Sequence, residues 1–257
     1  MNIPETIYCL EITLMPLSEL IIRQVGKSNV RWFTYPFVPP TTFSGYLHSV
    51  IFEDDQNNFI ERNHAKVRRI EDKFKGIYCL GAYPPIANGK INVCVSEGHY
   101  RQHFGDKFNY ESFFWNAKTQ NKKLAVVEHF WSQILRGFVI SENKDTLEDI
   151  SQKIYGRVTR IGKKGSVQIT KSSISQLNLE TDGIEWCSIF APVEIVAEFH
   201  VDSKIYNIPV SSQKGDKKKP YWKLLPAMIG VKIIPQYFKD SEKNIVIPKK
   251  VLEILDY

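Results

Sequence analysis

The chain has 257 residues, of which 43% are hydrophobic, so it is long enough to bury a large core and is not predominantly disordered. Its 34 lysines and arginines outnumber 28 acidic residues and give a net charge of +6, which suits a nucleic-acid partner without proving one. No apolar stretch approaches membrane-spanning length, so we expect a cytoplasmic protein with no membrane partner.

The first strand and the first helix are predicted from residues 7–14 and from about 42–52. Two prolines, Pro39 and Pro40, hold the chain extended before this helix, and Thr41 or Thr42 can cap its first turn. A helix start exposed in this way is a potential phosphate site. Because capped helices outnumber phosphate sites, a plain helix start is the commoner meaning of this motif.

Aromatic side chains crowd into a polar background between residues 99 and 131, after predicted strands near 77–82 and 91–96. We interpret this stretch as an insertion in the main fold. Aromatics at this density pack a small satellite core or cover a partner subunit.

A strand at residues 137–140 and a helix from about Asp145 then repeat the earlier order of strand and helix. Strand, helix, two strands, helix and strand is the order of a ferredoxin-like fold, an α+β class that the RRM shares. Residues 156–169 follow as a predicted hairpin rich in glycine. Near the C-terminus, residues 189–201 predict a strand that residues 204–210 could pair with.

Four widely spaced cysteines show no metal-binding or disulfide spacing, and we interpret them as small buried hydrophobic residues in a reducing compartment. They are Cys9, Cys79, Cys94 and Cys187.

Two basic segments are candidates for nucleic-acid binding. The predicted hairpin concentrates cations beside glycines that let a backbone approach a ligand, and these cations are Arg157, Arg160, Lys163 and Lys164. The second segment places cations beside aromatic rings, as single-strand binders do, and consists of Lys217, Lys218, Lys219, Tyr221 and Trp222. Ordinary solvated surface lysines remain the alternative for both segments.

Catalytic and metal-binding patterns are weak in this sequence. His99 and His103 have a spacing that could bind zinc, but Tyr100 stands where a metalloprotease has Glu, and we expect no metal or other cofactor. His48 lies between apolar positions of the first helix, where a buried structural histidine is commoner than a general base.

Two motifs together carry a resemblance to a known family. Pro-Pro-Thr-Thr-Phe-Ser-Gly-Tyr-Leu at residues 39–47 and Gly-Arg-Val-Thr-Arg-Ile-Gly-Lys-Lys at residues 156–164 are similar in order and spacing to the Cas-five family. That family belongs to the RAMP superfamily and caps the 5′ handle of the guide RNA (crRNA) in type I CRISPR surveillance complexes (Cascade). Tyr46 departs from the small residue usual after the glycine.

The resemblance implies a RAMP domain over residues 1–170, with an inserted thumb at about 99–135, and a smaller β-rich region over residues 171–257. It implies RNA contacts by the hairpin cations, with Thr41 and Thr42 at the start of the first helix. It also implies three partners besides crRNA: a backbone RAMP subunit (Cas-seven family), the large Cascade subunit, and target DNA within the complex.

The resemblance leaves the activity open. One branch of the family cleaves precursor guide RNA with a Tyr, Lys and His cluster that cannot be mapped onto this chain, so we expect a non-catalytic, antiviral RNA-binding role. A metal-independent endoribonuclease that processes repeat RNA through His48 or another histidine is the alternative. A protein-only scaffold with basic surface loops is a third.

Overall fold

The computed structural model describes residues 3–24, 31–52, 69–87, 89–103, 122–162, 165–214, 220–240 and 242–255. Its helices are α1 (Pro40–Ile51), α2 (Lys144–Ile154) and α3 (Lys249–Ile254), with short 3-10 turns at Ile70–Asp72 and Val193–Ile195. The strands within these ranges are β1 (Thr6–Pro16), β2 (Arg31–Trp32), β3 (Ile77–Tyr83), β4 (Ile86–Ala87), β5 (Lys90–Ile91), β6 (Cys94–His103), β7 (Lys122–Trp131), β8 (Leu135–Ser141), β9 (Val158–Arg160), β10 (Ser166–Glu180), β11 (Glu185–Trp186), β12 (Ala191–Pro192), β13 (Val196–Glu198), β14 (Tyr206–Lys214), β15 (Pro220–Met228), β16 (Lys232–Ile233), β17 (Tyr237–Asp240) and β18 (Ile245–Pro248).

The main sheet has the strand order β18-β17-β10-β1-β8-β3, and β9 pairs beside β10. Four consecutive strands at one side of the sheet, β10, β1, β8 and β3, are antiparallel to one another. Helix α1 lies between β1 and β3 in the chain, and α2 lies between β8 and β10, which is the ferredoxin-like arrangement. The predicted α+β, ferredoxin-like fold is therefore confirmed.

Both helices pack on one face of this sheet because their apolar residues recur at helical spacing. Phe43 of α1 lies against Gly137 of β8, where an added Cβ would stand 2.4 Å from the Phe43 ring. The apolar face of α2 is formed by Leu147, Ile150 and Ile154, all fully buried. Asn143 caps this helix by accepting a hydrogen bond from the Asp145 amide at 2.9 Å.

The C-terminal part of the chain is rich in strands and lies partly within the main sheet. The predicted boundary between residues 170 and 171 falls inside β10, which continues as one strand to Glu180. β17 pairs with the end of this strand and β18 pairs with β17, so residues 237–248 extend the main sheet. The main sheet therefore takes residues from both sides of the predicted boundary.

The pairing predicted between residues 189–201 and 204–210 is wrong. Pro192 ends the short strand β12 and a 3-10 turn follows it, so only Val196–Glu198 return to strand, and they pair with β16. β14 pairs instead with β15, in an antiparallel hairpin from Tyr206↔Ala227 to Lys214↔Pro220.

The predicted insertion corresponds in part to a long hairpin of β6 and β7, which we call the thumb hairpin (residues 94–131). It begins at Cys94, before the predicted start at residue 99, and the predicted end at residue 135 is already the first residue of the core strand β8. Residues 104–121, with much of the aromatic cluster, lie outside the described residues.

Three of the four cysteines, Cys9, Cys79 and Cys187, are buried as predicted, whereas Cys94 is exposed. Cys94 lies at the first position of an outlying hairpin strand and not in the apolar interior. Within the described ranges, none of the helices combines the length and the apolar character that a membrane crossing needs.

Candidate nucleic-acid interface

The predicted glycine-rich hairpin is present and consists of β9, β10 and the turn between them; we call it the glycine hairpin (residues 156–169). It follows α2 directly, and the Gly156 amide donates to the Ile169 carbonyl at 3.1 Å. Three residue pairs of β9 and β10 face each other, from Val158↔Gln168 to Arg160↔Ser166. Ile161 is buried, and its amide donates to the Gly165 carbonyl at 3.1 Å, which closes the turn.

The turn of the glycine hairpin lies directly on residues 19–24, which we call the shelf. An added Cβ at Gly162 would stand 2.7 Å from the carbonyl oxygen of Ile21, and one at Gly165 would stand 2.8 Å from that of Glu19. Both glycines also have positive φ angles, +64° and +109°, that other residues rarely adopt. The glycines therefore allow two backbones to touch, and this fixes where the turn is placed.

Arg157 and Arg160 are both exposed on the glycine hairpin, on either side of the half-buried Thr159. Each of them has a further interaction within the protein, and each guanidinium carries five donors in a planar fork that matches a phosphate. Lys163 and Lys164, predicted to act with them, lie outside the described residues.

The start of α1 differs from the expected capped and exposed end. Pro39 is the N-cap residue, so no side chain caps the helix, and the first helical residue Pro40 is buried. The Thr41 hydroxyl donates instead to the Pro209 carbonyl of β14 at 3.3 Å. The predicted cap by Thr41 or Thr42 is thus wrong, because the polar side chain is used to hold a neighbouring strand.

The described part of the second basic segment, Tyr221 and Trp222, lies in β15. The backbone of Tyr221 pairs with Gln213 and that of Trp222 with Ser212, so both residues lie in a strand near the turn. Their side chains, and the whole of Lys217, Lys218 and Lys219, fall outside what the structure describes.

Helix α1 brings these separate predictions together. It packs against β9 of the glycine hairpin and against β14 of the second hairpin, while its own first turn carries Thr41 and Thr42. Two hairpins that are far apart in the sequence therefore share α1 as a neighbour, the glycine hairpin through β9 and the second hairpin through β14.

The shelf also connects the glycine hairpin to the thumb hairpin. Leu20 and Phe130 of β7 exchange two backbone hydrogen bonds of 2.8 and 2.9 Å. Glu19 reaches the thumb hairpin with both carboxylate oxygens, one accepting from the Ser96 hydroxyl at 3.2 Å and the other 3.3 Å from Nδ1 of His129. The shelf therefore contacts both the glycine hairpin and the thumb hairpin, and a displacement of either one would disturb its contacts.

Sequence reasoning missed the shelf, although it organises the interface. Its signal was the apolar triplet Leu20-Ile21-Ile22 between the polar residues Glu19 and Arg23, which indicates a short buried segment. All three apolar side chains are at least 97% buried. Nothing in this triplet indicates which glycines will pack on it.

The described histidines near these elements are poor candidates for a general base. His48 is 8% exposed and its ring packs against Phe52 with the centroids 5.0 Å apart. Nδ1 of His129 is buried and lies beside Glu19, without the alignment that a hydrogen bond needs.

Burial also raises the pKa of the Cys187 thiol to about 12, which keeps this thiol protonated at neutral pH. Among the described residues no group of His, Cys, Asp and Glu could hold a metal ion.

Comparisons with known proteins find similarity among solved structures alone. No protein-family model matches the chain, and neither does any curated protein. It is similar to a chain of the type III-B Cmr-beta complex bound to cognate target RNA, with 12% identity and a TM-score of 0.40, over 66% of this chain and 61% of that one.

Two further similarities extend over nearly the whole chain. A CRISPR protein from Archaeoglobus fulgidus is 14% identical with a TM-score of 0.44, over 94% of this chain and 99% of that one. A chain of a CRISPR RNA-guided surveillance complex is 8% identical with a TM-score of 0.36, over 98% and 100%. At these identities and TM-scores the likeness assigns neither a family nor a function to the chain.

Proposed function

We propose that this chain is an RNA-binding subunit of a type I CRISPR surveillance complex and holds the 5′ handle of the guide RNA. In this role it docks a backbone RAMP subunit and the large subunit of a cytoplasmic antiviral complex that recognises target DNA. The observation that carries the proposal is that the glycine hairpin and the β14–β15 hairpin both pack against α1, the helix that begins with Thr41 and Thr42 in its first turn.

The arrangement suits a flexible, charged backbone as ligand. The glycine hairpin offers two arginines on an anchored turn, and phosphates are bound by cations whose positions are fixed beforehand. The β14–β15 hairpin adds a strand that carries two aromatic residues, which can stack bases without regard to sequence. Together they provide both kinds of contact that single-stranded RNA uses.

Binding without cleavage is the form of this role that we propose. RNA cleavage without a metal needs a general base within hydrogen-bond reach of the 2′-hydroxyl. The rings of His48 and His129 are both largely buried, with exposed fractions of 8% and 13%. We therefore propose that the chain holds RNA that another component has processed.

The test is to purify the chain with its co-expressed complex, extract the nucleic acid and sequence its 5′ ends. We expect guide RNAs that share one fixed 5′ handle, shielded from nuclease only in complexes that contain this chain. Repeat RNA cut by the isolated chain in EDTA would overturn the non-catalytic role. A complex that assembles without RNA would overturn RNA binding altogether.

A paired variant makes the same experiment specific to the glycine hairpin. Arg157→Ala with Arg160→Ala removes two positive charges from it, and Lys144→Ala with Lys204→Ala removes two from exposed positions elsewhere. Lys144 follows the end of β8 that pairs with Tyr8, whereas the glycine hairpin lies at the Pro16 end of β1. Loss of handle protection in the first pair alone is the expected result.

A further inference from the structure

A cavity of about 510 Å³ opens on the face of the main sheet that is turned away from α1 and α2. Gly137 of β8 faces α1, so its neighbour Arg136 points to the opposite side, where it lines this cavity. The other walls come from the ends of β3 and β4, from β11, and from β17, β18 and the turn between them. The volume falls within the usual range of small-molecule sites, about 300–1,000 Å³.

Positive charge predominates in the wall of the cavity. Three cations line it, Arg136, Lys239 and Lys243, against two carboxylates, Glu185 in the wall and Glu11 beside Arg136, which leaves one net positive charge. Lys239 is paired with Glu185, and Arg136 donates from Nε to Glu11, which leaves the other guanidinium donors of Arg136 for further contacts. A wall of this composition attracts an anion.

Lys243 has the greatest freedom among these cations to meet a ligand. Among the described residues it forms no close ion pair, although its charge interacts with the Asp240 carboxylate of the same turn, and it is exposed at the rim of the cavity. The turn that carries it is well ordered by hydrogen bonds: Asp240 accepts from the amides of Glu242 and Lys243 at 2.8 and 3.3 Å. The backbone therefore positions the cation while its side chain remains available.

An aromatic wall accompanies the charge. The indole of Trp186 lines the cavity and lies close to Gly89, where an added Cβ would stand 2.6 Å from the ring. Lys232 also lies over this indole, with Nζ 5.4 Å from a ring centroid. Pro84 and Ile86 complete an apolar part of the wall.

We propose that this cavity binds a single nucleotide, with its phosphate toward Lys243 and its base toward the apolar and aromatic wall. An inorganic anion would use the cations alone, and an apolar ligand would leave them without a counter-charge. A nucleotide has both a charged and a planar apolar part at the scale of this volume. The source is either the pool of free nucleotides or one unstacked residue of an RNA strand, which share this chemistry.

The first arm of the test is isothermal titration calorimetry of the full chain with AMP, GMP, CMP and UMP. The corresponding nucleosides and inorganic phosphate are titrated in parallel. We expect a nucleoside monophosphate to bind more tightly than either of its parts. Lys243→Ala should weaken this binding by about tenfold, the loss of one charge-assisted contact, and Lys144→Ala should leave it unchanged.

The second arm uses an oligoribonucleotide that carries 4-thiouridine, crosslinked by light and mapped by mass spectrometry. A crosslink within residues 184–188 that Lys243→Ala abolishes, without binding of free nucleotides, would assign the site to an RNA residue. Absence of both free-nucleotide binding and this crosslink would overturn the proposal. Equal affinity for phosphate and for nucleoside monophosphates would overturn it as well.

The two arms also separate this proposal from the proposed function. The cavity and the glycine hairpin involve different residues, and Lys243→Ala leaves Arg157 and Arg160 in place. A variant that loses the nucleotide and keeps handle protection shows that the cavity acts independently of the handle. In Arg157→Ala with Arg160→Ala, where we expect handle protection to be lost, the affinity for the nucleotide should be unchanged.

Discussion

The two hairpins beside α1 are anchored at opposite ends. The glycine hairpin is held at its turn, where Gly162 and Gly165 touch the backbone of the shelf. The β14–β15 hairpin is held far from its turn, where Thr41 of α1 donates to Pro209 and Tyr35 donates to Asn207. The glycine-rich turn is therefore positioned by contacts within the protein that need no ligand, whereas the described anchors of the β14–β15 hairpin lie at its opposite end.

The largest expected effect comes from Gly162→Ala, which breaks the anchor at the turn. The new Cβ would stand 2.3 Å from the Ile22 side chain and 2.7 Å from a backbone oxygen, at a φ of +64°. Backbone strain and overpacking together should lower the free energy of unfolding by about 3 kcal/mol, measured by urea denaturation.

Gly156→Ala is the matched control for this substitution. Gly156 has a similar φ of +74°, and nothing lies within 4 Å of its added Cβ. Only the backbone strain remains there, so we expect a loss of about 1 kcal/mol. Equal losses at Gly156 and Gly162 would show that the shelf contact does not position the turn.

A second effect is expected at the base of the β14–β15 hairpin at alkaline pH. Tyr206 packs edge-on against Phe37 with ring centroids 5.3 Å apart. Its burial, and to a smaller extent the negative charge of the nearby Glu128, raise the pKa of its phenol from 10.0 to about 12. The neutral phenol is thus favoured in the folded state. This preference contributes fully to the free energy of unfolding below pH 10. The contribution is lost as the pH rises toward 12, at no more than about 1.4 kcal/mol per pH unit.

Urea denaturation at pH 9 and pH 11 measures this loss, and Tyr206→Phe removes the titrating group while it keeps the ring. The variant should lose less stability between the two pH values than the unmodified chain. Parallel losses in the two proteins would mean that Tyr206 does not contribute to the pH dependence at this base.

The smallest of the stability effects is expected at the start of α1. Thr41→Val removes the hydroxyl that donates to Pro209 and should cost about 1 kcal/mol in urea denaturation. Thr42→Val is the control, because the Thr42 hydroxyl makes no such bond to β14, and it should be near neutral. A larger loss of stability in Thr42→Val than in Thr41→Val would contradict this account and indicate that Thr42 caps the helix.

Local sequence patterns predicted most of the ferredoxin-like core. Helix α2, for example, follows from Leu147, Ile150 and Ile154 at helical spacing, and the glycine hairpin follows from alternation on both sides of its glycines. These elements are governed by contacts among near neighbours in the chain. For that reason the order of elements could be assigned before their packing was known.

Contacts between distant segments could not be predicted in this way. Nothing in the local sequence shows that Thr41 donates to Pro209, which is 168 residues away, or that β14 pairs with β15 and not with residues 189–201. The shelf was missed for the same reason, because its role depends on contacts with Gly162 and Gly165, which are distant in the sequence. The cavity that Arg136 and Trp186 share likewise exists only in the fold.

The salt dependence of RNA affinity tests the central claim, that the glycine hairpin contacts an RNA backbone, most directly. Affinity for a guide RNA with its 5′ handle is measured over a series of salt concentrations for the unmodified chain, Arg157→Ala with Arg160→Ala, and the control Lys144→Ala with Lys204→Ala. Each phosphate contact to a single strand contributes about 0.7 to the slope of log affinity against log salt. A slope reduced by about 1.4 in the arginine pair, with the control unchanged, is the predicted result; equal slopes in all three proteins would contradict the claim.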